Sequence, residues 1–277
     1  MPSTPQTNGR VLTIETADVP LAVTEFPHVG KPAVVLLHGI GSRGQSWWPV
    51  IDALQEHYHL YQVDLRGHGD SGKPETGYAL DAFVADLDAI LSALELEQPR
   101  ILGHSLGAVI ALLWASKNPS TAAALALEDP PLMIRPELLP AFDGWQQLAV
   151  LTPEAAAAWY HQEYPHWSLD DCDRRAQTIT STAPGVFGEL RAESERALLT
   201  GETDRAPALS LVTSPTLLIR GNPELGGMVP DDDVVRLEAV MPHARVVSIM
   251  EAGHGLHRDA TDAFLAAVIP FLTPEEL

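Results

Sequence analysis

Cysteine is nearly absent: Cys172 is the only one in 277 residues. A single thiol closes no internal disulfide, so the chain fits a reducing compartment. Its neighbours Asp170, Asp171 and Asp173 disfavour a thiolate. There is also no run of about 18 apolar residues, the length an ordinary membrane-crossing helix needs. Residues 1–10 are polar and contain no apolar signal core, which makes a cytoplasmic location the expectation. Basic side chains are scarce, with Lys+Arg 17 against Asp+Glu 37 and a formal net charge of −20. Nucleic acids and anionic membranes are gripped by positive patches, so neither is an expected partner. The charge reads as a means of solubility rather than of steering cationic ligands. The acidic runs Asp170-Asp171 and Asp231-Asp232-Asp233 lack the histidines or spaced Asp/Gly pattern of an ion loop. They read as solvated surface and helix starts, and no metal is expected.

What is present is a hydrophobic fraction of 45% and enough length for one large domain, or for a domain carrying an insertion. Residues 11–16 and 21–26 alternate apolar and polar, the pattern of half-exposed antiparallel strands. Residues 33–37 form a continuous apolar run, as a buried parallel strand does. Residues 58–64, 100–104, 122–128, 216–220 and 245–250 are also strand-like. Helical patterns fall between them at 46–56, 80–94, 106–117, 232–241 and 258–272. Strands alternating with helices predict an α/β fold whose mostly parallel central sheet is covered on both faces. The alternation stops at 132–211. Several short helices are expected there, set apart by Pro136, Pro140, Pro153, Pro165 and Pro184. This stretch carries Phe142, Trp145, Trp159, Tyr160, Tyr164, Trp167 and Phe187. It reads as a helical cap at 132–211 over a core made of 1–131 and 212–277. Most of its aromatics are expected to pack the insertion and a minority to line a pocket.

The chemistry concentrates at Gly103-His104-Ser105-Leu106-Gly107, between a strand-like and a helix-like stretch. A tight strand-to-helix turn lifts the serine hydroxyl above the sheet edge, at a helix N-terminus. A serine hydroxyl attacks a carbonyl only when a base takes its proton. Among eleven histidines, His254 is the leading base, because Gly253-His254-Gly255 follows the last strand. His257, three residues on, is the rival. His104 flanks the serine but within such a turn should point away from the cleft. The acid that orients the base is Asp129 by first choice, at the end of the strand after the serine, with prolines following it. Glu224, in a Gly/Pro-rich loop after the next strand, is the alternative. Glu128 should face away from Asp129 by strand alternation. The backbone N–H groups of Leu106 and Ile40 are the candidate oxyanion donors, with Gly39 freeing the second loop. Gly39, His104, Trp145 and Trp159 are the candidates for substrate contact. The glycine-rich run 64–72 lacks the Gly-Lys-Ser/Thr ending of a phosphate loop, and is expected to brace the His38-Gly39 loop.

Taken in order, His38-Gly39, the run 64–71, Gly103 to Gly107 and Gly253-His254 resemble the α/β-hydrolase superfamily over nearly the whole chain, in its serine esterase and lactonase branch with a helical cap. The resemblance implies that Ser105 is the nucleophile, His254 the base, and Ile40 and Leu106 the oxyanion donors. Family members carry the acid after either of two strands, so Asp129 and Glu224 both remain open. Serine at position 105 argues against the dehalogenase and epoxide hydrolase branches, which have aspartate there. The implied reaction is hydrolysis of a small ester or lactone, with no cofactor, by a monomer or homodimer. Carbon–carbon bond hydrolysis, peracid formation and a ligand receptor of the same fold are the alternatives.

Overall fold

The computed structural model describes residues 9–165 and 167–273, and every stretch expected to be a strand is one. The strands are β1 (Arg10–Glu15), β2 (Pro20–Phe26), β3 (Ala33–Leu37), β4 (His59–Val63), β5 (Arg100–His104), β6 (Ala124–Glu128), β7 (Thr216–Gly221) and β8 (Arg245–Ile249). They make one sheet in the order β1-β2-β4-β3-β5-β6-β7-β8. The β1–β2 and β2–β4 pairs are antiparallel, and all others are parallel. The alternating runs are thus the antiparallel edge, and the continuous apolar runs lie in the parallel centre, where both faces are covered.

The helices follow in chain order. α1 (Trp48–Gln55), α2 (Leu80–Ala93) and α3 (Leu106–Lys117) lie among the first six strands. α4 (Leu139–Ala149), α5 (Pro153–Glu163), α6 (Leu169–Thr180), α7 (Pro184–Thr200) and α8 (Ala206–Leu209) all fall between β6 and β7. α9 (Asp231–Val240), α10 (Leu256–Asp259) and α11 (Thr261–Leu272) complete the chain. One expectation is corrected. The helix expected over 258–272 is broken at Ala260, whose non-helical backbone (φ −141°, ψ 52°) separates α10 from α11. The side-chain pattern is helical on both sides of the break, which is why periodicity runs through it.

Strand alternation splits the core in two. Val35 and Leu37 of β3 pack with Phe83, Leu87 and Ile90 of α2 and with α3. Val34 and Leu36 point the other way, toward Ile51 and Leu54 of α1 and Phe264 and Val268 of α11. The inserted helices hold a cluster of their own around Leu148, Tyr160, Cys172, Ile179 and Phe187. Their starts are written locally. Proline occupies the first turn of α4, α5, α7 and α8, where its missing N–H costs nothing. Thr152 and Ser168 cap α5 and α6 by accepting the N–H of Ala155 and Asp171. The acidic runs sit in the first turns of α6 and α9, where negative charge meets the positive helix end. Among the described residues no helix is long and apolar enough to cross a membrane.

Candidate active site

β5 ends at His104 and α3 begins at Leu106, so Ser105 alone makes the turn, with φ 51° and ψ −115°. That left-handed conformation is strained for a residue with a Cβ. The flanking residues allow it: a side chain at Gly107 would collide with the carbonyl of Leu37. The Ser105 N–H donates to the Glu128 carbonyl at 2.9 Å, tying the turn to β6.

The register of β5 on β6 pairs His104 with Glu128, so Ser105 and Asp129 leave neighbouring strand tips together. Asp129 is fully buried and also has positive φ, 45°. Three donors fix its carboxylate. Gly221 N–H reaches Oδ1 at 3.2 Å, while Met228 N–H and His254 Nδ1 each reach Oδ2 at 2.7 Å. With Nδ1–H spent on Asp129, Nε2 is the free nitrogen of His254. The loop after β8 carries this histidine, whose side chain is 34% exposed. No hydrogen bond joins Ser105 Oγ to His254 in this conformation. Such contacts are often long without substrate and tighten when it binds.

The rival carboxylate and the rival histidine are both placed elsewhere. Glu224 is exposed in a short helical turn, its N–H bonded to Asn222 Oδ1, and makes no bond to His254. His257 belongs to Glu128, which accepts its backbone N–H and its Nδ1–H at 2.8–2.9 Å. Glu128 therefore faces away from Asp129, as strand alternation requires. Burial pushes the Glu128 carboxyl up, but His257 and His104 more than offset this and hold it below the usual carboxylate range. Burial, only partly opposed by Glu128, lowers His104 to about 3. The neutral ring donates from Nε2 to the His254 carbonyl at 2.9 Å. This second Glu–His pair braces the loop of the first from behind.

Leu106 N–H stands at the open end of α3, and Ile40 lies on the loop after β3. Gly39 lets that loop lie on the turn: a Cβ there would stand 2.9 Å from His104 Nδ1 and 3.2 Å from Ser105 Cβ. Ser105, Ile40 and Leu106 open into one cavity of about 660 Å³, counted out to its mouth. Its wall is mainly apolar, with Val109, Leu138, Phe142, Trp145 and Leu190 contributing. Of the four substrate-contact candidates, Trp145 lines this cavity, while Gly39, His104 and Trp159 do not. Arg205, Glu193 and Met228 also line it, and no motif around them marks them in the sequence. Among the described residues, no group of three or more His, Cys, Asp or Glu side chains is arranged to hold a metal.

Residues 32–261 match the family model of the alpha/beta hydrolase fold. The chain belongs to that family. N-formylmaleamate deformylase of Pseudomonas putida is 30% identical over 249 residues, covering 87% of this chain and 88% of that protein. 2-(Acetamidomethylene)succinate hydrolase of Mesorhizobium japonicum is 27% identical, with the same coverage of each chain. The crystal structure of E-2-(acetamidomethylene)succinate hydrolase superposes with a TM-score of 0.79 at 24% identity, covering 95% of this chain and 99% of that one. All of these relatives are hydrolases by name.

The alpha/beta hydrolase core is cross-braced below the site by two buried histidines. His38 Nε2 accepts the Leu65 N–H at 3.0 Å and its Nδ1–H donates to the Gly39 carbonyl. His68 Nε2 accepts the Gly41 N–H at 3.1 Å and its Nδ1–H donates to the Arg66 carbonyl. The run 64–72 thus holds the loop after β3, as expected. Burial lowers His38 to about 4 and His68 to about 3. Unfolded, each binds its proton near 6.5, so between pH 6.5 and 4 the unfolded chain holds more protons than the folded one. Stability should therefore fall as pH drops through that window, by on the order of 1 kcal/mol per pH unit for each histidine. Denaturant unfolding at pH 7.0, 6.0 and 5.0 checks this, and a flat profile would refute it.

Proposed function

We propose that the protein is a serine hydrolase that cleaves carboxylic esters or lactones through an acyl-serine intermediate. Ser105 Oγ bonds to the carbonyl carbon as its proton passes to His254 Nε2. The N–H groups of Leu106 and Ile40 receive the oxyanion. When the tetrahedral species collapses, the C–O bond to the alcohol breaks and His254 protonates the leaving oxygen. Water then gives a proton to His254 and its oxygen to the acyl carbon. The acid departs, and Ser105 regains its proton. Asp129 keeps Nδ1 protonated and Nε2 available, and stabilises the transient imidazolium. The observation that carries this reading is the 2.7 Å His254–Asp129 bond, made beside a strained serine that opens into an apolar cavity. The helices α4–α8 act as the cap, with Phe142 and Trp145 packing against the hydrocarbon part of a small acyl group.

A second reading, hydrolysis of an amide-type bond by the same triad, is favoured by the relatives' names, which refer to an N-formyl group and an acetamido group. Labelling with a fluorophosphonate tests the covalent step common to both. One adduct per chain is expected, on the peptide carrying Ser105; no adduct, or one elsewhere, rejects the reading. Comparing phenyl acetate with acetanilide then separates ester from amide preference.

A further inference from the structure

The cavity that holds Ser105 is apolar except for a few groups, and one of them is unspent. Ser194 Oγ donates to the Leu190 carbonyl at 2.8 Å. Glu193 accepts the N–H of Leu80, the first residue of α2, at 3.1 Å. Arg205 is different. Its Nε–H donates to the Pro131 carbonyl at 3.1 Å, which pins the guanidinium two residues beyond Asp129. Neither terminal nitrogen has a hydrogen-bond acceptor among the described residues, and no carboxylate stands within ion-pair distance. Burial lowers its pKa, with Glu193 only partly opposing this, yet a guanidinium remains charged at any physiological pH. A cation in a largely apolar cavity with no directly paired anion, only Glu193 beyond ion-pair distance, is costly unless a ligand completes it. Its planar fork matches a carboxylate with two parallel hydrogen bonds.

We propose that Arg205 binds a free carboxylate on the substrate, so that the hydrolase acts on acyl compounds with a second acidic group, such as half-esters or half-amides of dicarboxylic acids. This rests on the hydrolase reading above. Ser105 and Arg205 line the same largely apolar cavity, surroundings suited to the hydrocarbon carbons that join the two ends of such a substrate. A chain of net charge −20 repels anions at long range, so selection of an anionic substrate has to come from a local cation of this kind.

The test compares mono-p-nitrophenyl glutarate and adipate with the neutral p-nitrophenyl pentanoate and hexanoate, in the wild type, Arg205→Gln and Arg205→Lys. The wild type should favour a half-ester over its neutral counterpart in kcat/KM. Arg205→Gln should lower that ratio by on the order of tenfold or more, chiefly through KM, and Arg205→Lys should restore part of it. A wild-type ratio at or below one, or a ratio unchanged in Arg205→Gln, overturns the proposal. Calorimetric binding of monomethyl glutarate to the wild type and to Arg205→Gln gives a readout independent of turnover. If no ester is cleaved and Ser105 is not labelled, the hydrolase reading fails on its own. The carboxylate site then stands if Arg205→Gln weakens binding by tenfold or more, and falls if affinity is unchanged.

Discussion

Ser105→Ala should lower kcat/KM for short p-nitrophenyl esters by about 10⁴-fold or more, because removing the nucleophile of a triad costs nearly as much as removing the whole triad. The change deletes one oxygen and leaves the oxyanion donors, the cavity and the His254–Asp129 bond in place. A small residual rate above that of water is the expected remainder. Stability should hardly move. Alanine keeps the Cβ, so the strained backbone at φ 51° is neither relieved nor worsened. The lost hydroxyl makes no hydrogen bond on which packing depends, which places the change within about 1 kcal/mol. Steady-state rates and a thermal melt on the same preparation check both halves. Activity within tenfold of the wild type would remove Ser105 from the nucleophile position. Ligand affinity retained alongside lost turnover would separate an enzyme from a receptor of the same fold.

The position of this serine was legible because several local signals agree there. An apolar run of strand length ends at His104, glycines stand at 103 and 107, and a helix-forming stretch follows at once. The eight strands were legible for a similar reason: β3 and β5 are apolar without interruption, and β1 and β2 alternate. His254 could be preferred to His257 because it lies at a strand exit. The acid could not be decided, since Asp129 and Glu224 both leave C-terminal strand ends. What separates them is backbone geometry invisible in composition. A positive φ at Asp129 turns its carboxylate onto the N–H groups of Gly221 and Met228, while Glu224 is carried out to solvent. The cavity wall was the least legible part. Its members come from the inserted helices, whose packing depends on aromatic contacts such as Tyr160 on Trp167 rather than on a repeating pattern. Trp145 and Trp159 look equivalent in sequence, yet one faces Ser105's cavity and the other the surface. Arg205 sits in no motif, and only the fold brings it to the same cavity.

Asp129→Asn should cost about 10³- to 10⁴-fold in kcat, and Glu224→Gln should stay within about twofold of the wild type. The asymmetry follows from what each carboxylate touches. Asp129 accepts the His254 Nδ1–H while two backbone N–H groups hold it in place. An asparagine there offers one carbonyl oxygen to three donors and turns an NH₂ toward at least one of them. If that NH₂ faces His254, it favours the tautomer with Nδ1 bare and Nε2 protonated, which cannot accept the Ser105 proton. The developing imidazolium also loses its counter-charge. A buried donor left without its acceptor costs about 1–3 kcal/mol of stability, so the melt should shift while the protein stays folded at 25 °C. Glu224 is exposed and bonded only within its own turn through its backbone, so the loss of its charge reaches neither His254 nor the cavity. A larger loss in Glu224→Gln than in Asp129→Asn would move the acid to the loop after β7. The bond seen at Asp129 would then belong to a resting arrangement that substrate binding rearranges.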